Sequence, residues 1–228
     1  MEHLLWQLRL EKQFQPSGLL RLLQDIAAED AARRGGGQAL LNSRGCTWVL
    51  VKNRLTVTRW LQAGETVCLT TWPLRGRFGL YPRAFELLDS AGKLIARADS
   101  VWAIIDTENR RMFPGEERDI VLQGVEEGHL APQRRIIVPE GGTLFDLTPS
   151  PEQIDGNGHM NNAAYLDAAE TMLPPELRRR TLTAIAIDYE HELLPGHHAQ
   201  VRVVREGDAC FFEGSMEEKV CFRMKLTY

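Results

Sequence analysis

The sequence predicts an α+β fold built from two copies of one unit, each an amphipathic helix followed by an antiparallel sheet. Three observations predict it. A helical apolar period stands near the start and another past the middle. Each is followed by runs rich in β-branched and aromatic residues, punctuated by Gly, Asp and Pro turns. A stretch without sustained period separates the two series. At 228 residues the chain has room for one large domain or two small ones.

The elements follow in order. The opening residues read as a strand. In PSGLLRLLQDIAAEDAARRGGG, Leu19, Leu22, Leu23, Ile26 and Ala27 recur at helical spacing. The spacing predicts a helix from Ser17, as N-cap, to Arg34, stopped by Gly35–Gly37. CTWVLVKNRLTVTRW and ETVCLTTWPL then read as strands joined at Ala63-Gly64, and RAFELLDSAGKLIARADSVWAIID as two more, turning at Ser90–Lys93. Residues 113–133 hold two prolines, three glycines and five acidic groups, which suits a linker. The second half repeats the order. RRIIVP reads as a short strand; Leu166, Ala169 and Leu173 share a helical face from Asn162 until Pro174-Pro175; and TLTAIAIDYEHELLPG, HAQVRVVREGD, ACFFEGS and EKVCFRMKLTY give four strands. A sheet curled round one helix buries it but leaves an edge open, and two copies sharing that edge would cover it. That is the tandem, or double, hotdog. Its N-terminal hotdog is expected over residues 1–128 and its C-terminal one over 129–228.

With 43% hydrophobic and 25% charged residues, the composition is that of a soluble globular protein. A net charge of −4 supplies no positive field for nucleic acid. MEHLLWQLRLEKQF is too interrupted by Gln7, Arg9, Glu11 and Lys12 for a signal peptide, and no stretch approaches the roughly 18 apolar residues of a membrane span. Cys46, Cys68, Cys210 and Cys221 lack metal-ligand spacing and read as reduced thiols. A cytoplasmic protein is expected, monomer or homodimer, with neither nucleic acid nor membrane as partner.

The informative stretch is IDGNGHMNNAAYLDAAE at 154–170. In an extended segment Asp155, Asn157 and His159 point the same way, with Gly156 and Gly158 allowing close approach. Asn161 or Asn162 can cap the following helix, whose N-terminus favours negative charge, so an oxyanion would be well placed there. The plainer reading is a turn that caps a helix, since Asp, Asn and Gly are turn residues. Taken alone, D-x-N-x-H does not decide between them.

The longer string does. DGNGHMNNAAYLDAAET resembles the D-x-N-x-H-x-N-N-x-x-Y signature of fatty acyl-ACP thioesterases, plastid and bacterial enzymes that release fatty acids from acyl carrier protein (ACP). WVLVKNRLTVTRWLQAGETVCLTTWP and ARADSVWAIIDTENRRM resemble that family's N-terminal hotdog, and AIDYEHEL its Y-x-x-E segment. The resemblance implies a catalytic set of Asp155, Asn157, His159 and Glu192, with no metal and no organic cofactor. Many plant members carry a cysteine after that glutamate; Leu193 here leaves no thiol nucleophile. In an unbroken strand Asp188, Glu190 and Glu192 share one face and Tyr189 and His191 the other. Glu192 therefore reaches the site only where the strand stops, as Leu193-Leu194-Pro195-Gly196 suggests, while Asp188 and Glu190 read as solvated carboxylates.

Thioester hydrolysis needs a nucleophile and a stabilised oxyanion. Asp155 or Glu192 can act as general base on water, or attack directly and form an anhydride. Asn157 can bind the water or the oxyanion, and His159 can orient a carboxylate or donate to the oxygen. The first half has no counterpart of D-x-N-x-H. It is expected to shape the acyl pocket through Leu22, Ile26, Trp48 and Leu50, its depth setting the chain length at about 0.8 kcal/mol per buried methylene. His191, His197 and His198 read as a solvated turn, and GRFG (76–79) and GG (141–142) are too short for phosphate loops. Arg33-Arg34 or Arg178–Arg180 is a candidate dock for acidic ACP. The competing readings are an acyl-CoA thioesterase and a non-catalytic acyl-binding or dehydratase-like hotdog protein.

Overall fold

The computed structural model describes residues 3–125 and 134–228, so the expected boundary at 128/129 lies outside the described residues. The chain forms two compact units, the second comprising Pro16–Gly18 and Arg134–Tyr228. Among the described residues no helix is long and apolar enough to cross a membrane.

The first unit contains β1 (Leu4–Arg9), α1 (Pro16–Arg33) from Leu19 onward, α2 (Gln38–Ser43), β2 (Cys46–Val57), β3 (Thr66–Pro73), β4 (Leu80–Asp89) and β5 (Leu94–Asp106). Its strands lie in the order β1-β3-β4-β5-β2, antiparallel throughout. Leu19 and Leu23 of α1 pack against Leu55 on β2, Leu69 on β3, Phe85 and Leu87 on β4, and Ala96 and Ala98 on β5, leaving no room for a water molecule. One helix is thus in contact with four strands. Its start differs from expectation: Gln15 is the N-cap, without a side-chain cap bond, Pro16 sets the first helical φ, and Ser17 lies buried inside the first turn. At the other end Gly35, at φ +75°, turns the chain away from the helix.

The short helix α2, absent from the sequence reading, brings Leu41 to a cluster with Cys46, Ile104, Phe113 and Ile120. Phe113 and Ile120 come from the stretch expected to be a linker. Residues 113–125 instead carry a 3₁₀ turn at Gly115–Arg118 and a parallel bridge from Val125 to Leu74. Two apolar anchors seven positions apart suffice to bind this stretch to the core, without any period.

The second unit contains β6 (Thr143–Leu147), α3 (Ala164–Thr171), β7 (Ala184–Tyr189), β8 (Ala199–Glu206), β9 (Ala209–Met216) and β10 (Lys219–Thr227). Its order is β7-β10-β9-β8-β6, again antiparallel. The strand expected at 134–139 is absent; the Ile136 N–H donates instead to the carboxylate of Asp188 at 2.7 Å. Asp188 is therefore buried and structural, not solvated as expected. Tyr165 of α3 stands edge-on to Tyr189 of β7 and Phe222 of β10, at centroid distances of 5.5 and 4.9 Å. Gly214 on β9 makes room for this stack, since a Cβ there would lie 2.1 Å from the Phe222 ring. Across β8, β9 and β10, Arg202, Glu213 and Arg223 are register partners and alternate in charge, with N–O distances of 2.7 Å at both steps. Arg223 also pairs with Glu190, which pairs with Arg135.

Candidate active site

Residues 154–160 close on themselves. Ile154 and Met160 form an antiparallel bridge. Within it the Asp155 N–H donates to the His159 carbonyl at 2.9 Å, and the Gly158 N–H to the Asp155 carbonyl at 3.0 Å. Oδ1 of Asp155 accepts the Asn157 N–H at 2.8 Å, an Asx turn, and Gly158 sits at φ +83°. The segment is thus a tight turn and not the extended stretch that alternation implied, because the Asp carboxylate competes for the backbone N–H that a strand would use. The turn places residues 155 and 159 opposite each other, so Asp155 and His159 meet across its neck. Asn157 does not join them; it stands exposed at the tip.

Glu192 arrives by a different device. The N–H groups of Glu190 and His191 both donate to the Cys221 carbonyl, at 2.8 and 3.0 Å, the signature of a β-bulge just past the end of β7. The extra residue breaks the alternation. Glu190 stays on the side of Arg223 and Arg135, while Glu192 comes to His159. The imidazole therefore stands between two carboxylates: Nδ1 is 3.5 Å from Asp155 Oδ2 and Nε2 is 3.8 Å from Glu192 Oε1. Both separations exceed a direct hydrogen bond, so the contacts between the ring and the carboxylates are electrostatic. His159 and Asp155 are each 19% exposed at the side chain and Glu192 is 34% exposed, so the group is sheltered yet reachable.

The two segments are clamped to each other. The Met160 N–H donates to the Leu193 carbonyl at 2.7 Å, the Leu193 N–H to the Tyr165 hydroxyl at 3.3 Å, and the Tyr189 hydroxyl to the Asn162 carbonyl at 2.8 Å. Leu193, fully buried, acts through its backbone. Asn161 takes up the leading N–H groups of α3: its Oδ1 accepts from Ala163 at 2.9 Å and its carbonyl from Ala164 at 2.8 Å. Those two donors are therefore spent locally and not directed at an oxyanion, contrary to expectation. Burial pushes the pKa of Tyr165 well above that of an ordinary phenol, so its hydroxyl stays protonated. Sequence reasoning assigned Tyr165 no task, although the residue closes the signature string.

Comparison with known proteins bears on this architecture. The model of the acyl-ACP thioesterase N-terminal domain matches residues 8–118, and that of the C-terminal domain matches residues 142–227. The chain belongs to the acyl-ACP thioesterase family. Among curated relatives of this thioesterase-family chain is the chloroplastic palmitoyl-acyl carrier protein thioesterase of Cuphea hookeriana, 27% identical over 165 residues, covering 65% of this chain and 39% of the relative. The chain thus spans well under half the length of that relative. Two solved structures share its fold. An acyl-ACP thioesterase from Bacteroides thetaiotaomicron has a TM-score of 0.85 at 22% identity, covering 99% of this chain and 97% of the other. A 12:0-ACP thioesterase from Umbellularia californica has 0.83 at 17% identity, covering 99% and 96%. The double hotdog is the fold of this chain.

In this family member the residues expected to line an acyl pocket are all drawn inward. Ile26 and Leu50 are buried, and Leu22 and Trp48 half-buried. Trp48 donates its indole N–H to the Gly36 carbonyl at 2.8 Å, stands edge-on to Tyr81, and packs on the Leu41–Ile104 cluster, of which Leu22, Ile26 and Leu50 are not members. The arginine clusters are tied into the structure. Arg34 pairs with buried Asp30, Arg33 with Glu29, Arg180 with Asp208, and Arg178 closes the C-terminus of α3 on the Thr171 and Leu173 carbonyls. His191 bonds the Val220 carbonyl, His197 the Leu194 N–H and His198 the Thr148 hydroxyl. Burial raises the thiol pKa of Cys46, Cys210 and Cys221, that of Cys210 to about 11, so none of the three is a ready thiolate.

Proposed function

We propose that the chain hydrolyses the thioester of fatty acyl-ACP, releasing a free fatty acid and ACP in fatty acid biosynthesis. The observation that carries this is His159 held between Asp155 and Glu192, two carboxylates brought from separate segments. Asp155 has one oxygen engaged by the Asn157 N–H and the other facing Nδ1, which suits it to orient the ring. Glu192, the more exposed carboxylate, is the base. It takes a proton from water as the water oxygen bonds to the carbonyl carbon and the carbonyl oxygen gains the electron pair. Collapse of that intermediate breaks the C–S bond, and the departing thiolate recovers a proton from the site. The exposed carboxamide of Asn157, at the turn tip, donates to the oxyanion or the water. The same geometry serves the two-step route, in which Glu192 attacks the carbonyl carbon and water opens the anhydride. A thiolate leaves readily, so these groups suffice without a metal or organic cofactor. Leu22, Ile26, Trp48 and Leu50 of the first unit line the acyl pocket. Four unpaired cysteines favour a cytoplasmic location.

The test is hydrolysis by the purified chain of matched acyl-ACP and acyl-CoA, both pantetheine thioesters. Acyl-ACP is the expected substrate. Asp155→Ala, His159→Ala and Glu192→Ala should each lower kcat about 10²-fold or more with little change in Tm. Wild-type turnover in any one of these folded variants removes that residue from the site; faster hydrolysis of acyl-CoA makes the chain an acyl-CoA thioesterase.

A further inference from the structure

Two fixed points bracket Glu192. Tyr189 is the register partner of Phe222, its ring stands against Tyr165, and its hydroxyl holds the Asn162 carbonyl. Leu193 is clamped by Met160 and Tyr165. The direction of Glu192 is therefore settled within Glu190, His191 and Glu192 themselves. Tyr189 faces α3, and Glu190 turns the opposite way, to Arg223 and Arg135. In an unbroken strand His191 would turn back to the Tyr189 side and Glu192 away from it. The bulge instead sets Glu190 and His191 together against one residue of β10, and Glu192 returns to the Tyr189 side, where His159 stands.

The residue that changes sides decides between these two arrangements. Glu190 points away from α3 in both, so its ion pairs do not distinguish them. His191 does. Its backbone N–H donates to the Cys221 carbonyl at 3.0 Å, and its ring Nδ1 bonds the preceding carbonyl, that of Val220, at 2.7 Å. A carbonyl only accepts, so Nδ1 carries the hydrogen. β10 is itself irregular here: toward β9, Val220 pairs with Ser215 and Phe222 with Gly214, which leaves Cys221 as an extra residue. One histidine thus takes up two successive carbonyls of an irregular strand. Flattening the bulge would turn the ring inward and break its bond to Val220. We infer that His191 is a positioning residue for the proposed base: its ring bond to the Val220 carbonyl holds the bulge and keeps Glu192 turned to His159. This rests on the thioesterase reading above and adds a residue outside the proposed Asp155, Asn157, His159 and Glu192 set.

The experiment measures kcat, KM and Tm on one acyl-ACP for wild type, His191→Phe, His191→Ala, His191→Asn and Glu190→Gln. His191→Phe keeps a ring without the donor, and His191→Ala removes both; each should lower kcat about threefold or more with KM within about twofold. The Asn side chain offers an N–H in place of Nδ1, so His191→Asn should restore kcat to within about twofold of wild type. Glu190→Gln weakens the ion pairs of the same bulge and should lower Tm while kcat stays within about twofold. Wild-type kcat in folded His191→Phe or His191→Ala overturns the inference alone. So does a His191→Asn variant as slow as His191→Phe, or a Glu190→Gln variant that loses as much kcat. A wild type inert toward every acyl-ACP overturns the thioesterase reading, and this inference with it.

Discussion

The Tyr165 hydroxyl accepts the N–H of Leu193, the residue next to Glu192, while its ring is fixed by Tyr189 and Phe222. Tyr165→Phe keeps the ring stack and removes only that bond. Its kcat should fall about three- to tenfold, the value of one hydrogen bond, and its Tm by a few degrees, because the buried Leu193 N–H loses its partner. A kcat equal to wild type would leave Tyr165 a packing residue only. Much of this site was legible in the residues themselves. Asp155 and His159 meet as foreseen, although through a closed turn; Asn157, on the same alternation, ends at the tip. Alternation reports a shared face only in extended chain, and Asp-Gly-Asn-Gly is too rich in turn chemistry to stay extended. The bonds made by Tyr165 had no sequence signal beyond its place in the signature, because their partners lie far along the chain.

Among the elements, β5 carries a carboxylate in an unfavourable setting. Burial pushes the Asp99 carboxyl up to about 6, with Arg97 pulling the other way. Between the ordinary carboxylate range near 4 and that value, the folded chain binds more protons than the unfolded one. Stability therefore falls as pH rises through this window and stays lower above it. Asp99→Asn should raise Tm by about 2–4 °C at pH 7.5, the effect of about 1 kcal/mol in a chain of this length, allowing for solvent screening of a half-buried group. Thermal melts at pH 4 should show almost no gain, and an equal gain at both pH values would contradict the sign. Elements with strong alternation, β2 to β5 and β7 to β10, were readable from the sequence. The misread ones explain themselves. Ile136, Ile137 and Val138 look like a strand, but the Asp188 carboxylate takes the place of a ladder. In β6 only Leu147 is buried, so it shows no alternation to detect.

For the molecule as a whole, the candidate chemistry sits in the second unit, between Asp155 and Glu192. The first unit is proposed to measure the acyl chain. Half-buried Leu22 is the gentlest place to test that. Leu22→Trp should shift the acyl-ACP profile toward shorter chains and Leu22→Ala toward longer ones. Each methylene lost from the pocket should cost the longer substrate about fourfold in kcat/KM, from about 0.8 kcal/mol. Profiles measured beside melting temperatures decide it: altered Tm with an unchanged profile would move the pocket elsewhere. The division into two units was visible in the sequence as a repeated order of elements. The attachment of residues 113–125 to the first was not, since Phe113 and Ile120 form no pattern until their neighbours are known.

The bulge opposite Cys221 has a consequence for how such a site is gained or lost. Glu192 faces His159 because one extra residue interrupts the alternation after Tyr189. Deleting one of residues 190 and 191 would remove the bulge yet leave Glu192 on the side it now faces, whereas one residue inserted between His191 and Glu192 would turn it to the opposite side of the sheet with no side chain replaced. The site can therefore be broken in a single step that replaces no residue, an in-frame insertion. A survey of point substitutions alone would never meet that route.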